Sequence, residues 1–197
     1  MTKRPATGNK KTPAGRLRIV AGNWRSRLLE IADVPGLRPT SERVRETLFN
    51  WLAPRIEGAR CLDLFAGTGA LGLEALSRGA MSVVFVESSR RAVKVLEQNA
   101  RSLDASGAVI RHGDALEYLK TAEPDHFDVV FLDPPFATGL LEEMCEAIER
   151  SGIVVAGGLV YVEEDKAQLQ PALPANWVTV KDKTAGQVRY SLVKSDP

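Results

Sequence analysis

Asp133-Pro134-Pro135-Phe136 follows directly on the apolar run Val129-Val130-Phe131-Leu132. Two consecutive prolines fix φ and remove two N–H donors. The Asp133 carboxylate and the Pro134 carbonyl are left as acceptors at a strand tip, with an aromatic ring beside them. That set suits an exocyclic amine of a nucleic-acid base, such as guanine N2 or adenine N6. The amine lone pair is delocalised into the ring. Two acceptors on its N–H groups favour a more tetrahedral nitrogen, whose lone pair can attack a sulfonium methyl in line. The chemistry is positioning and electrostatic preorganisation rather than strong base catalysis. Phe136 can stack on a base drawn out of its helix. The competing structural reading is an ordinary strand-to-loop turn with Phe136 in the core.

About seventy residues upstream lies Asp63-Leu64-Phe65-Ala66-Gly67-Thr68-Gly69-Ala70-Leu71-Gly72. Its glycines allow a tight turn and close approach of a ligand to a helix N-terminus. Alone, the spacing fits a dinucleotide fold, a methyl-donor fold or a structural left-handed turn. Glu87 stands 20 residues after Gly67. It could accept from ribose hydroxyls in either a nicotinamide or an S-adenosyl cofactor. Asp63 could accept from a donor's ammonium group, or hold the turn through backbone N–H groups. Asp114, after Gly113, could accept from an adenine amine or cap the helix that follows. The Asp133 loop separates the cofactors, since a nicotinamide dehydrogenase has no evident use for it. His112 and His126 lack Cys, Asp or Glu partners at ligand spacing, and no metal site is expected.

The elements that must position these residues alternate strand and helix. Expected strands are Cys61–Phe65, Ser82–Val86, Val109–Arg111, Phe127–Leu132 and Leu159–Glu163, with helices Ala70–Arg78, Arg90–Ser102 (capped by Ser88 or Ser89), Ala115–Lys120 and Leu140–Arg150 between them. Trp177–Lys181 and Val188–Val193 should close the sheet as an antiparallel pair. Short continuous apolar strands between helices argue an α/β, doubly wound, mostly parallel sheet. Before it, residues 16–31 read as a β-hairpin turning at Gly22-Asn23, and Thr40 as the N-cap of a helix reaching about Ala53. The expected division is a basic tail over 1–15, the hairpin over 16–36 and one domain over 37–197.

The formal net charge of +1 hides an asymmetry. Residues 1–60 carry 13 Lys and Arg against 5 Asp and Glu, and the rest carry 13 against 20. A basic front on an acidic body suggests a polyanion held by the front. The candidate contacts are Arg16, Arg18, Arg25 and Arg27 on the hairpin, Trp24 among them, and Arg38 and Arg43 further on. Trp24 equally suits packing the hairpin onto the domain, whereas Trp51 and Trp177 read as core. The segment Lys3–Lys11 reads as a flexible tail. Cys61 and Cys145 read as small buried residues rather than a disulfide. No apolar run approaches the ~20 residues of a membrane span. A cytoplasmic monomer is expected.

Together with Leu37-Arg38-Pro39-Thr40-Ser41-Glu42-Arg43-Val44-Arg45-Glu46-Thr47-Leu48-Phe49-Asn50, these motifs resemble the class I S-adenosylmethionine-dependent methyltransferases, and within them the RsmD family of 16S rRNA guanine-N2 methyltransferases. The resemblance implies a seven-stranded Rossmann-like sheet with a small N-terminal β-hairpin. It implies S-adenosylmethionine as the only cofactor, and 16S rRNA in the small ribosomal subunit or its assembly intermediate as substrate. By this likeness Asp63, Phe65, Ala66, Gly67, Thr68, Gly69, Glu87, Ser88, Asp114 and Ala115 contact the cofactor. Thr40 joins them, or lies over a target phosphate. Asp133, Pro134, Pro135 and Phe136 hold the guanine. Adenine-N6 methylation and a non-catalytic RNA-binding assembly factor are the other readings.

Overall fold

The computed structural model describes residues 15–34, 40–124, 126–135, 139–168 and 171–195. The expected tail up to residue 14, Arg38 and Phe136 lie outside them. Strands β1 (Arg16–Arg18) and β2 (Leu28–Glu30) form a two-stranded antiparallel sheet. Helix α1 (Glu42–Leu52) follows. Then come β3 (Arg60–Asp63), α2 (Ala70–Ser77), β4 (Ser82–Glu87), α3 (Arg90–Ser102), β5 (Ala108–His112), α4 (Ala115–Thr121) and β6 (Phe127–Leu132). The chain ends with α5 (Leu141–Ser151), β7 (Val154–Asp165), β8 (Trp177–Ala185) and β9 (Val188–Ser195). Seven strands make one sheet in the order β5-β4-β3-β6-β7-β9-β8. The β5-β4-β3-β6-β7 run pairs in parallel, and β9 lies antiparallel to both β7 and β8. The expected doubly wound sheet and its closing antiparallel pair are both present.

Side chains alternate across the strands with period two and fill two cores. Cys61, Val83, Phe85, Val129, Phe131 and Tyr161 pack with α1, α2 and α3. Leu62, Leu64, Val86, Val130, Leu132 and Val160 pack with α4 and α5 on the other face. The hairpin belongs to the first core, through Leu17, Ile19 and Leu29. Trp51 is half-buried and stacks on Tyr190 at 5.4 Å, and Trp177 is buried. Cys61 and Cys145 are buried free thiols, and burial pushes the Cys145 thiol up to about 12. No helix among the described residues is long and apolar enough to cross a membrane.

Three local expectations are corrected. Ser41, not Thr40, caps α1, its hydroxyl accepting from the Val44 N–H at 3.3 Å. The returning arm of the hairpin is strand only over Leu28–Glu30, not from Trp24. The backbone N–H groups of Asn23 and Trp24 go instead to the carbonyl and hydroxyl of Ser77 on α2, at 2.7 and 3.0 Å. Strand β7 starts at Val154 rather than Leu159, because a bulge absorbs Gly157 (φ 71°) between the pairs Phe127–Val154 and Val129–Leu159.

Every residue of α2 is buried, as expected of an apolar helix covered by the hairpin and α1 as well as by the sheet, and yet one of them is Glu74. Its partner is Arg45 of α1, equally sealed from water, at 3.1 Å. Glu74 also accepts from the N–H groups of Val20 and Ala21 at 2.8 and 3.0 Å, and from Arg78 at 2.8 Å. Arg45 donates to the carbonyls of Thr40 at 3.2 Å and Arg18 at 2.8 Å. Removing one member of a buried pair strands the other charge, at about 3–5 kcal/mol. Arg45→Ala should therefore lower the unfolding free energy by about that amount in urea titrations. A loss below about 1 kcal/mol would show that the pair is not what clamps the hairpin to the helices.

Candidate active site

From β3 the chain winds outward through β4 and β5, then returns to β6 on the other side of β3. Ligands of open α/β sheets bind outside the carboxyl ends of the strands at such a reversal. Asp63 ends β3 and Glu87 ends β4. Asp133 follows β6. Val162 of β7 pairs with Leu132, so Glu163 stands level with Asp133 on the neighbouring strand. The sheet's carboxyl edge thus carries four acidic residues on four adjacent strands.

The turn after β3 is held by these acids. The Asp63 Oδ2 accepts from the Gly72 N–H at 3.1 Å. The Glu87 carboxylate accepts from Gly67 N–H at 2.8 Å and Ser89 N–H at 2.7 Å. Gly69 has φ +90°, a left-handed conformation in which a side chain is strained, and a Cβ there would also strike Leu96 and Leu73. A Cβ on Gly72 would lie 2.2 Å from the Phe85 ring, so this glycine lets helix and sheet meet closely. Thr68 is buried, and its carbonyl accepts from the Asn99 amide at 3.0 Å. Phe65 is half-buried and Ala66 buried.

Asp133 is partly exposed, and Pro134 behind it is buried. The Thr40 hydroxyl donates to Asp133 Oδ2 at 3.1 Å. This bond explains why Thr40 does not cap α1: its hydroxyl is turned to the loop. The Tyr161 hydroxyl donates to Glu163 Oε2 at 2.6 Å. Desolvation raises all three central acids. Asp63 is pushed up to about 7, opposed by its bond to Gly72. Asp133 is pushed up to about 6, opposed by Thr40. Glu163 is pushed up to about 8, first by burial and then by the Asp133 charge. Among the described residues none of the three forms an ion pair with a lysine or arginine.

Other expected residues fall further out. Asp114 is exposed and caps α4, accepting from Leu116 and Glu117 N–H at 2.9 and 3.1 Å, with Ala115 buried behind it. Ser88 is exposed, its carbonyl 3.0 Å from His112 Nε2, while Ser89 caps α3. Arg16, Arg25 and Arg43 are exposed. Arg18 and Arg27 are exposed but partly engaged, with the carbonyls of Ser26 at 3.4 Å and Ser102 at 2.6 Å. Trp24 is half-buried and packs on the first core. Among the described residues no cluster of His, Cys, Asp and Glu could hold a metal ion.

Four supporting residues escaped the sequence reading. Arg45 shares the 45/49/52 stripe of α1, and Glu74 is the lone charge in an apolar helix. Both were legible as charges on buried faces. Asn99 sits between Leu96 and Ala100 on the buried face of α3. Its amide pairs with both backbone groups of Glu30 at 2.9 and 3.0 Å, besides Thr68. Glu163 offered no local signal, because its importance comes from a neighbour on another strand.

The strand order, the glycine turn and the acidic loop after β6 define a class I methyltransferase fold. A solved Escherichia coli structure named yhhF matches with a TM-score of 0.85 at 43% identity, covering 92% of this chain and 99% of that one. The chain belongs to the family described as Conserved hypothetical protein 95, the RsmD family, whose profile matches residues 17–194. Ribosomal RNA small subunit methyltransferase D of Escherichia coli K12 is 46% identical over 183 residues, 93% of this chain and 92% of that protein. The protein of the same name from Haemophilus influenzae is 43% identical, over 92% of this chain and 95% of its own.

The raised carboxyls make a stability prediction. Asp63, Asp133 and Glu163 hold protons more tightly in the fold than in the unfolded chain, so the folded state binds more protons between about pH 4 and 8. Unfolding free energy should fall as pH rises through that window. Asp63→Asn, which can still accept from Gly72, should flatten the dependence. Thermal melts between pH 5 and 8 test it; a melting temperature that climbs steadily with pH would refute it.

Proposed function

We propose that this protein transfers a methyl group from S-adenosylmethionine to the exocyclic N2 of a guanine in 16S rRNA. The carrying observation is Asp133: an acceptor just past the carboxyl end of β6, beside the point where the strand order reverses, fixed at one oxygen by Thr40. The family relatives named as small-subunit rRNA methyltransferases support the substrate class.

The cofactor suits this edge. It is a sulfonium with an ammonium group, and here a desolvated acidic edge has no arginine or lysine paired with it among the described residues. A bound cation lowers the cost of ionising such carboxyls. Asp63 and the Ala66–Gly69 turn, with Phe65, would hold its amino-acid end. Glu87 with Ser88 would accept from its ribose hydroxyls; both carboxylate oxygens already take one N–H, and each retains a second lone pair. Asp114 and Ala115 would face its base. When bound, the cofactor supplies an electrophilic methyl.

The chain's own residues do the rest. Asp133 and the Pro134 carbonyl orient the amine N–H groups, with Phe136 as the stacking partner of the base. The methylated amine must lose one proton, and Asp133 would be the acceptor beside it. Arg16, Arg18, Trp24, Arg25, Arg27, Arg38 and Arg43 would hold rRNA phosphates. Those contacts position the RNA, while the Asp133 loop specifies the atom.

Labelled S-adenosylmethionine with small subunits from cells lacking this gene tests the reading directly, with naked rRNA and duplex DNA alongside. Label in N2-methylguanosine is expected. Label in N6-methyladenine would move the target to adenine, and cofactor binding with no transfer would leave an assembly factor. Asp133→Ala should reduce turnover by at least about 100-fold with little loss of stability. Reversing the charges of Arg16 and Arg25 should weaken RNA binding and flatten its salt dependence; an unchanged slope would place the RNA elsewhere.

A further inference from the structure

Thr40 departs from its expected role twice. It leaves the capping of α1 to Ser41, and its hydroxyl points to the loop after β6. It is buried. Its carbonyl is bound by Arg45 Nε at 3.2 Å, and the same guanidinium reaches Glu74 and the Arg18 carbonyl. The planar fork serves all three directions at once, which a lysine ammonium on a flexible stem cannot reproduce. Thr40 is therefore fixed at both ends, by Arg45 on its backbone and by Asp133 on its side chain.

We propose that Thr40 is a positioning residue for methyl transfer: its hydroxyl holds one oxygen of Asp133 so that the other is presented to the amine, and Arg45 holds Thr40 in turn. The role rests on the methyl-transfer reading above and deepens it. An unrestrained carboxylate rotates about χ2 and offers either oxygen. One hydroxyl donor selects a rotamer and favours the ionised form. That second effect matters because the groups facing Asp133 are acids: Asp63 on β3, and Glu163 and Tyr161 on β7. Among the described residues, the Thr40 hydroxyl is the group that opposes them at this carboxylate.

The test compares Thr40→Val with Thr40→Ser in the full chain. Valine keeps the shape and removes the donor, while serine restores it. The acid limb of kcat reports ionised Asp133. Losing a donor to the ionised form raises that group's pKa, so in Thr40→Val the limb should move to higher pH by about one unit. At neutral pH kcat should drop at least about tenfold, with KM for S-adenosylmethionine within about twofold. Thr40→Ser should recover most of both, and Arg45→Lys should move the limb the same way. Carbon-13 titration of the Asp133 carboxyl, without cofactor or RNA, should show the same upward shift. A rise in cofactor KM with an unmoved acid limb would overturn the proposal and make Thr40 a cofactor contact. A lower melting temperature with an unmoved limb would reduce it to packing. If the unaltered protein methylates no RNA, the functional reading fails. The carboxyl titration then still decides whether Thr40 governs Asp133.

Discussion

The buried pair of Arg45 and Glu74 is the constraint on which the placement of the site depends. A carboxylate inside an apolar helix is unstable unless its charge is matched and its lone pairs filled. Here the filling is done by four donors from three places. Arg45 comes from α1, Arg78 from the C-cap of α2, and the N–H groups of Val20 and Ala21 from the chain leaving β1. Satisfying Glu74 therefore requires hairpin, α1 and α2 to assemble in one arrangement. Breaking any one of these bonds exposes the others to the cost of a half-satisfied network.

A second polar clamp repeats the logic on the other side of the hairpin. Asn99 pairs with both backbone groups of Glu30 and with the Thr68 carbonyl in the glycine turn. The first clamp runs from the hairpin through Arg45 and Thr40 to Asp133, and the second from the hairpin through Asn99 to the turn. The proposed RNA-facing element is thus joined by directional bonds to both the proposed cofactor turn and the acceptor loop. Apolar contact alone, through Leu17, Ile19 and Leu29, would hold the hairpin down without fixing its angle. Hydrogen bonds at 2.7–3.2 Å fix it, because they weaken steeply with misalignment.

The fold was legible because its signals are local and repeated. Short apolar strands alternated with helices, and every expected sheet strand appeared, most within a residue or two of its bounds. The glycine turn was legible too, since a left-handed residue at position 69 leaves few substitutes. The supporting network was harder to read. Arg45 and Glu74 stand out as charges on apolar faces, but the partners of these two and of Asn99 become visible only when the hairpin is docked on them. Their roles are set by backbone groups more than 25 residues away along the chain. Thr40 was read as a cap because a cap is a local device. The competing attraction was Asp133, 93 positions later. Glu163 lies level with Asp133 only because β6 and β7 pair in that register.

The acidic edge makes physical sense only when set against the rest of the molecule. Three carboxyls raised by desolvation destabilise their own ionised forms, and a fold of this size tolerates that because two apolar cores flank the sheet. The edge does not relax by turning these side chains outward, since each is bound: Asp63 by Gly72, Asp133 by Thr40, Glu163 by Tyr161. Held this way, the three acceptors are in place before any ligand arrives, and on the proposed reading a bound cation would favour their ionised forms. Glu87 differs from the other three. With both oxygens on backbone N–H groups, it shapes the glycine turn at the carboxyl end of β4. A carboxylate that already accepts two bonds keeps two lone pairs for hydroxyl donors. One side chain thus builds the turn, and on the proposed reading it would also accept from a ribose.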